Sequence, residues 1–211
     1  DDRIAPPMFY SNDKKMTLSR WPNPEEVSPY LDPKAVGAGH TGMVSYVEVF
    51  ETGSSKGDAD FDTNGPTFSV AFDRIKNWGD ISNIFLDGIL NKSWEWTYNQ
   101  VKTFDLATKK ITLARGEIKG VEKGENGAGA KKGSYFYFEN IAQELDQASE
   151  FYIDKSKGLL FFYPTEDFTK GVNVLAALTE PMISIDSAKH ITFHGLNFDT
   201  GRHLGFKITN S

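Results

Sequence analysis

The last thirty residues constrain the fold most. From Met182 to Ser211, short alternating runs are separated by small and polar residues. Ile183 and Ile185 flank Ser184, Ile191 and Phe193 alternate with Thr192 and His194, Leu196 and Phe198 resume after Gly195, and Phe206 and Ile208 follow. Alternation with period two between turn residues is the signature of strands. The turns lack the Asn-Gly or Asp-Gly pairs of tight hairpins. Strands repeating at roughly twenty residues predict coils of a parallel β-helix. The pattern stops at Ser211, and a solenoid needs about three repeats and a cap. The expectation is a module cut from something longer, with an open end that pairs with a second copy as a homodimer or stays poorly ordered.

Upstream, the alternation has hairpin-length links. Met8–Tyr10 and Met16–Trp21 flank Ser11–Lys15. Val44–Phe50, Phe68–Phe72, Ile84–Leu90 and Trp94–Val101 read as strands. Lys102–Asp105 and Lys110–Ala114 flank Ala107–Lys109, and Tyr135–Phe138 follows a Gly- and Lys-rich run, residues 120–133, that reads as a mobile hairpin tip. Glu150–Asp154 and Leu159–Pro164 form another hairpin over Lys155–Gly158, and Val172–Leu175 precedes the tail. Only Glu139–Asp146 reads as helical, with Ile141 and Leu145 on one face. The sequence therefore predicts an all-β chain: an antiparallel β-barrel or sandwich over residues 1–175, then the start of a right-handed parallel β-helix over 176–211.

Composition narrows the function. Phe (16), Tyr (8) and Trp (4) favour strands. A net charge of −6 argues against a nucleic-acid partner, which needs clustered Lys and Arg. No apolar run approaches the roughly eighteen residues of a membrane span. With no cysteine, metal thiolates, catalytic thiols and disulfides are excluded. The N-terminal Asp1–Pro7 lacks a signal-peptide core, so either a signal has been removed or the sequence lies inside a longer chain.

The order of segments resembles that of large secreted bacterial proteins with a right-handed parallel β-helix, many of them glycoside hydrolases or polysaccharide lyases. Met16–Asn23 resembles their "LARWPN" element, and Ile84–Gly88 with Trp94–Trp96 their "hGhWxxxW" segment. Asn140–Asp154 is similar to "NLLEELDQPGEWYLD", Leu160–Pro164 to "LYFYP", and His190–Phe198 to "hITFxGLxF", the first coil after an inserted barrel. The resemblance spans nearly the whole chain. It implies a polysaccharide or oligosaccharide partner and a secreted, periplasmic or cell-surface location. Such proteins carry further coils before and after these segments, and their catalytic carboxylates are expected on the later coils. No catalytic residue is carried over, and the chain is expected to be a non-catalytic fragment of a carbohydrate-active protein. The rival expectations are a stand-alone carbohydrate-binding module and a structural or adhesion segment of a surface protein.

Three groups of residues are candidates for chemistry. Asp58, Asp60, Asp62 and Asn64, followed by Gly65, match the opening of a calcium loop, in which alternate oxygen ligands meet before a sharp turn. The closing bidentate Glu is missing, since Ala71 takes that place, and an acidic solvated hairpin loop explains the same residues. No other cofactor is expected. Trp94 and Trp96 would share one face of a strand, where indoles stack on sugar rings; burial in the core, together with Trp21 and Trp78, is the favoured alternative. Asp199 and Arg202 with His194 and His203 lie near the tail, where an acid or base is conceivable but an exposed turn suffices. Asp73, Asp80 and Asp87 stand apart in sequence from any Glu. A glycosidase needs two carboxylates across one bond, and no such pair is legible.

Overall fold

A computed structural model describes residues 6–123, 133–165, 167–202 and 204–211. His203 and most of the Gly- and Lys-rich run lie outside the described residues. The chain is all-β, with mostly antiparallel sheets and little helix. Its strands are β1 (Met8–Ser11), β2 (Lys14–Lys15), β3 (Thr17–Leu18), β4 (Arg20–Trp21), β5 (Tyr46–Glu51), β6 (Thr67–Val70), β7 (Phe85–Ile89), β8 (Trp96–Asp105), β9 (Lys110–Leu113), β10 (Tyr135–Glu139), β11 (Glu150–Asp154), β12 (Leu159–Phe162), β13 (Asn173–Ala176), β14 (Ile183–Asp186) and β15 (Phe206–Thr209).

The largest sheet runs β4-β10-β7-β8-β9-β6-β5. It closes on itself. Val44, two residues before β5, exchanges backbone hydrogen bonds with Phe136 of β10 at 2.8 and 2.9 Å. Pleating sends alternate side chains inward, so Leu86, Val101, Phe136 and Phe138 meet Phe68, Ile111 and Leu113 in one core. Its aromatic rings touch edge to face or tilted, as in Trp21–Phe72 (4.7 Å) and Trp78–Phe138 (5.4 Å). Such pairs add about 0.5–1.5 kcal/mol each beyond area burial. A short helix, α1 (Pro33–Gly37), covers Ile89 and Tyr135 from outside. Asp32 caps it, accepting from the Lys34 N–H at 2.7 Å.

Two smaller sheets lie beside the barrel around Phe9, Met16, Leu18 and Phe151. One runs β13-β1-β2 and the other β12-β11-β3, with β3 and β11 parallel. In the tail, β14 and β15 pair in parallel, Ile183 opposite Phe206 and Ile185 opposite Ile208.

Two expectations are corrected. Glu139–Asp146 is not a helix: Glu139 ends β10 and only Ala142–Glu144 makes a 3₁₀ turn. Asn140 prevents the helix, because it sits at φ 61° and its side chain is used in bonds to a 3₁₀ turn and to β11. Its Nδ2 donates to the Asn83 and Ile153 carbonyls (3.0 and 3.1 Å), and its Oδ1 accepts from the Ile153 N–H (2.9 Å). Ile191–Phe193 and Leu196–Phe198 are not strands either. Left-handed residues at His190 (φ 61°) and Gly195 (φ 71°) interrupt the extended backbone. Phe193 and Phe198 instead set their rings edge-on against Phe206 at 5.5 and 4.8 Å.

Candidate functional site

The outer faces of β10, β7 and β8 carry the polar residues that alternate with the core. Register places Tyr137, Asp87 and Tyr98 in one row across the three strands. The Tyr137 hydroxyl donates to Asp87 Oδ2 at 2.6 Å, and the Trp96 indole N–H donates to Asp87 Oδ1. Tyr98 lies flat on Phe85, centroids 4.9 Å apart and planes 3° off parallel. The Arg20 guanidinium from β4 sits 3.5 Å above the Tyr137 ring. Glu139, opposite Arg20 and diagonal to Asp87, is buried and accepts from the Tyr98 hydroxyl.

Electrostatics follow from burial. Burial pushes the Glu139 carboxyl up to about 8, and the Asp87 charge adds to it. Burial also raises Asp87, against the opposing pull of its bonds from Tyr137 and Trp96. The two tyrosines are held well above their usual range by burial first and then by these carboxylates. Burial thus favours the neutral form of Glu139. A cleft of about 240 Å³, lined by Pro7, Lys15, Met16, Asp87, Tyr137 and Glu139, opens between this face and the small sheets. Both Asp87 oxygens are occupied by donors, so the arrangement orients side chains. Asp87 and Glu139, far apart in sequence, are thus brought together, contrary to the isolation read for Asp87.

Trp94 and Trp96 are exposed, at 66% and 53%, whereas Trp21 and Trp78 are buried. Core placement therefore holds for the second pair only. Trp94 lies in the turn before β8 and Trp96 is its first residue, so they do not share one strand. Glu95 between them is nonetheless buried while both indoles are exposed.

Asp58, Asp60, Asp62 and Asn64 fall in a tight turn. Asp60 accepts from Ser54 Oγ (2.6 Å) and Asn64 Nδ2 (2.9 Å), which hold its carboxyl below the usual range, the Ser54 bond most. Asp58 accepts from the Ser55 N–H at 2.7 Å. Among the described residues no three His, Cys, Asp or Glu side chains are grouped to hold a metal ion. Near the tail, Asp199 accepts from the Thr200 N–H and Arg202 donates to the Ala177 carbonyl, both at 2.7 Å.

Sequence reasoning also missed a second buried carboxylate. Glu144 takes a bidentate bond from Arg74 (2.8 and 2.7 Å) and one from the Trp78 indole (2.5 Å). A Glu inside an apparently helical stretch gave no sign of these partners about seventy residues away.

No protein-family model and no curated protein matches the chain. Among solved structures it is similar to one named as a glycoside hydrolase, at 14% identity and a TM-score of 0.49, over 87% of this chain and 28% of that one. The chain spans little more than a quarter of that protein's length.

Proposed function

We propose that this chain is a glycan-contacting, non-catalytic module of a carbohydrate-active protein. The observation that carries the reading is Trp96: a half-exposed indole whose polar edge is tied to Asp87. An indole fixed in orientation offers a sugar ring apolar area at little entropic cost. The test is affinity electrophoresis in gels containing soluble plant or bacterial polysaccharides. The expected result is retardation by at least one polysaccharide, weakened about tenfold or more by Trp96→Ala, a loss of roughly 1.4 kcal/mol. Absence of retardation across the panel overturns the reading. The chain alone releases no reducing sugar; release abolished by one carboxylate-to-amide substitution overturns its non-catalytic character.

The reading extends to the tail, which we take as the start of a right-handed parallel β-helix. Support comes from the β14–β15 pair, whose partners recur after roughly 23 residues, within the range of solenoid repeats. Phe193, Leu196, Phe206 and Ile208 remain exposed there, and an apolar end with an open strand edge is a template for another chain. A second copy packed on that end gives a homodimer, read by light scattering over a concentration series; a strict monomer with a protected tail counts against it. A polysaccharide ligand fits a secreted, periplasmic or cell-surface location, which fractionation of the producing cell tests.

A further inference from the structure

We propose that the cleft beside Trp96, on the flank away from Asp87, is a subsite for a single neutral sugar ring, with Trp96 and Phe61 as apolar walls and Glu95 as the acceptor for a ring hydroxyl. This deepens the glycan reading and rests on it. The cleft holds about 280 Å³ and is lined by Phe61, Glu95, Trp96, Arg115, Glu117 and Ile118 among others, near the lower end of the roughly 300–1,000 Å³ typical of small-ligand sites.

Its polar groups are unevenly satisfied. Glu117 uses both oxygens: Oε2 accepts from Thr97 Oγ1 at 2.6 Å and Oε1 from Asn99 Nδ2 at 2.8 Å. Glu95 is only 4% exposed; its Oε1 accepts from the Lys119 N–H at 3.2 Å, and its Oε2 has no partner. A buried carboxylate oxygen without a donor is costly and rare in a folded protein. A hydroxyl brought by a ligand supplies that donor. Trp96 and Ile118, which also line the cleft, are both exposed.

Charge selects the class of occupant. Burial pushes Glu117 up to about 7, and the neighbouring Glu95 adds to this. Arg115, whose Nη2 donates to the Tyr98 carbonyl at 2.7 Å, and Lys56 also line the cleft. A near-neutral pocket with apolar walls suits an uncharged pyranose better than a cation. The walls are fixed: the loop before Gly65 is laced to residues 116–121 through Gly116 N–H to Phe61 O (2.7 Å), Glu117 N–H to Ser54 O (3.1 Å) and Lys56 N–H to Ile118 O (3.1 Å).

The experiment uses the full chain, ¹⁵N-labelled, titrated with methyl glycosides of glucose, galactose, mannose and xylose, with gel retardation by the polysaccharide panel in parallel. The expected result is a shift of the Trp96 indole N–H and of the Gly116 and Glu117 amides with one glycoside. Glu95→Gln should weaken retardation about tenfold, and Ile118→Trp, which fills the cleft and leaves Glu95 in place, should do the same. Melting temperatures near that of the parent establish that both variants fold. If Trp96→Ala abolishes retardation while Glu95→Gln and Ile118→Trp bind as the parent does, the subsite is overturned and the aromatic face stands. If no polysaccharide retards the parent chain, the glycan reading fails and the subsite with it.

Discussion

Trp96 and Asp87 are bonded across the β7–β8 pair, and the same carboxylate takes the Tyr137 hydroxyl from β10. One side chain therefore fastens three strands on the outside of the barrel. Removing it leaves a tyrosine and an indole without their acceptor. Asp87→Ala should lower stability by about 2–3 kcal/mol, the scale of hydrogen bonds to a charged group, measured by urea denaturation. Asp87→Asn, which keeps the shape and an acceptor oxygen, should cost less than half of that. Equal losses would mean that the retained shape and acceptor oxygen contribute nothing, and a negligible loss in both variants would mean that the carboxylate's bonds do not matter to the fold.

Glu139 sets a pH dependence whose sign is fixed. Burial holds it at about 8 in the folded chain, against an ordinary 4.5. The folded state binds this proton more tightly than the unfolded state. Its contribution is fully present below about 4.5 and is lost as pH rises through about 8. Glu117, raised to about 7, acts with the same sign. The urea midpoint should fall between those limits, and Glu139→Gln should flatten the slope. An unchanged slope in that variant would remove Glu139 as the cause.

Glu144 joins two 3₁₀ segments through Arg74 and Trp78. Glu144→Ala strands a buried indole N–H and frees a half-exposed guanidinium. The expected loss is about 1.5–3 kcal/mol, with a red shift in tryptophan emission as Trp78 loosens. Glu144→Gln should recover part of it. A loss below about 0.5 kcal/mol, the level of ordinary surface changes, would count against the bond network.

Gly116 tests close backbone packing. A Cβ there would lie 2.1 Å from the Ser54 carbonyl oxygen and 2.9 Å from the Phe61 ring. Gly116→Ala should push the loop before Gly65 away from the barrel, and hydrogen exchange at Ser54, Lys56 and Glu117 should speed up. Unchanged protection at those amides would show that the loop accommodates the methyl group.

Most strands were legible because alternation is local: the β8–β9 and β11–β12 hairpins fall close to where apolar and polar residues alternate around a polar turn. What alternation does not carry is partnership. Asp87 and Glu139 become neighbours only when β7 and β10 pair in register, and nothing near either residue announces the other. Asn140 was read within a helix because its left-handed backbone is imposed by bonds to Asn83 and Ile153, one of them far away in sequence. Trp94 and Trp96 misled for the opposite reason: indoles usually reward burial, and these two are exposed at the start of β8 while Glu95 between them is buried.

The parallel pairing of β3 with β11 places Thr17 beside Glu150 and Leu18 beside Phe151. The chain therefore enters and leaves the barrel through one doorway, and β1 meets β13 just beyond it. A globular unit whose two ends touch can be lodged in a host without prising the host apart. Tension along the chain would run from β3 straight into β11, so the barrel would hang from the strand pair like a bead on a clasp and carry none of it.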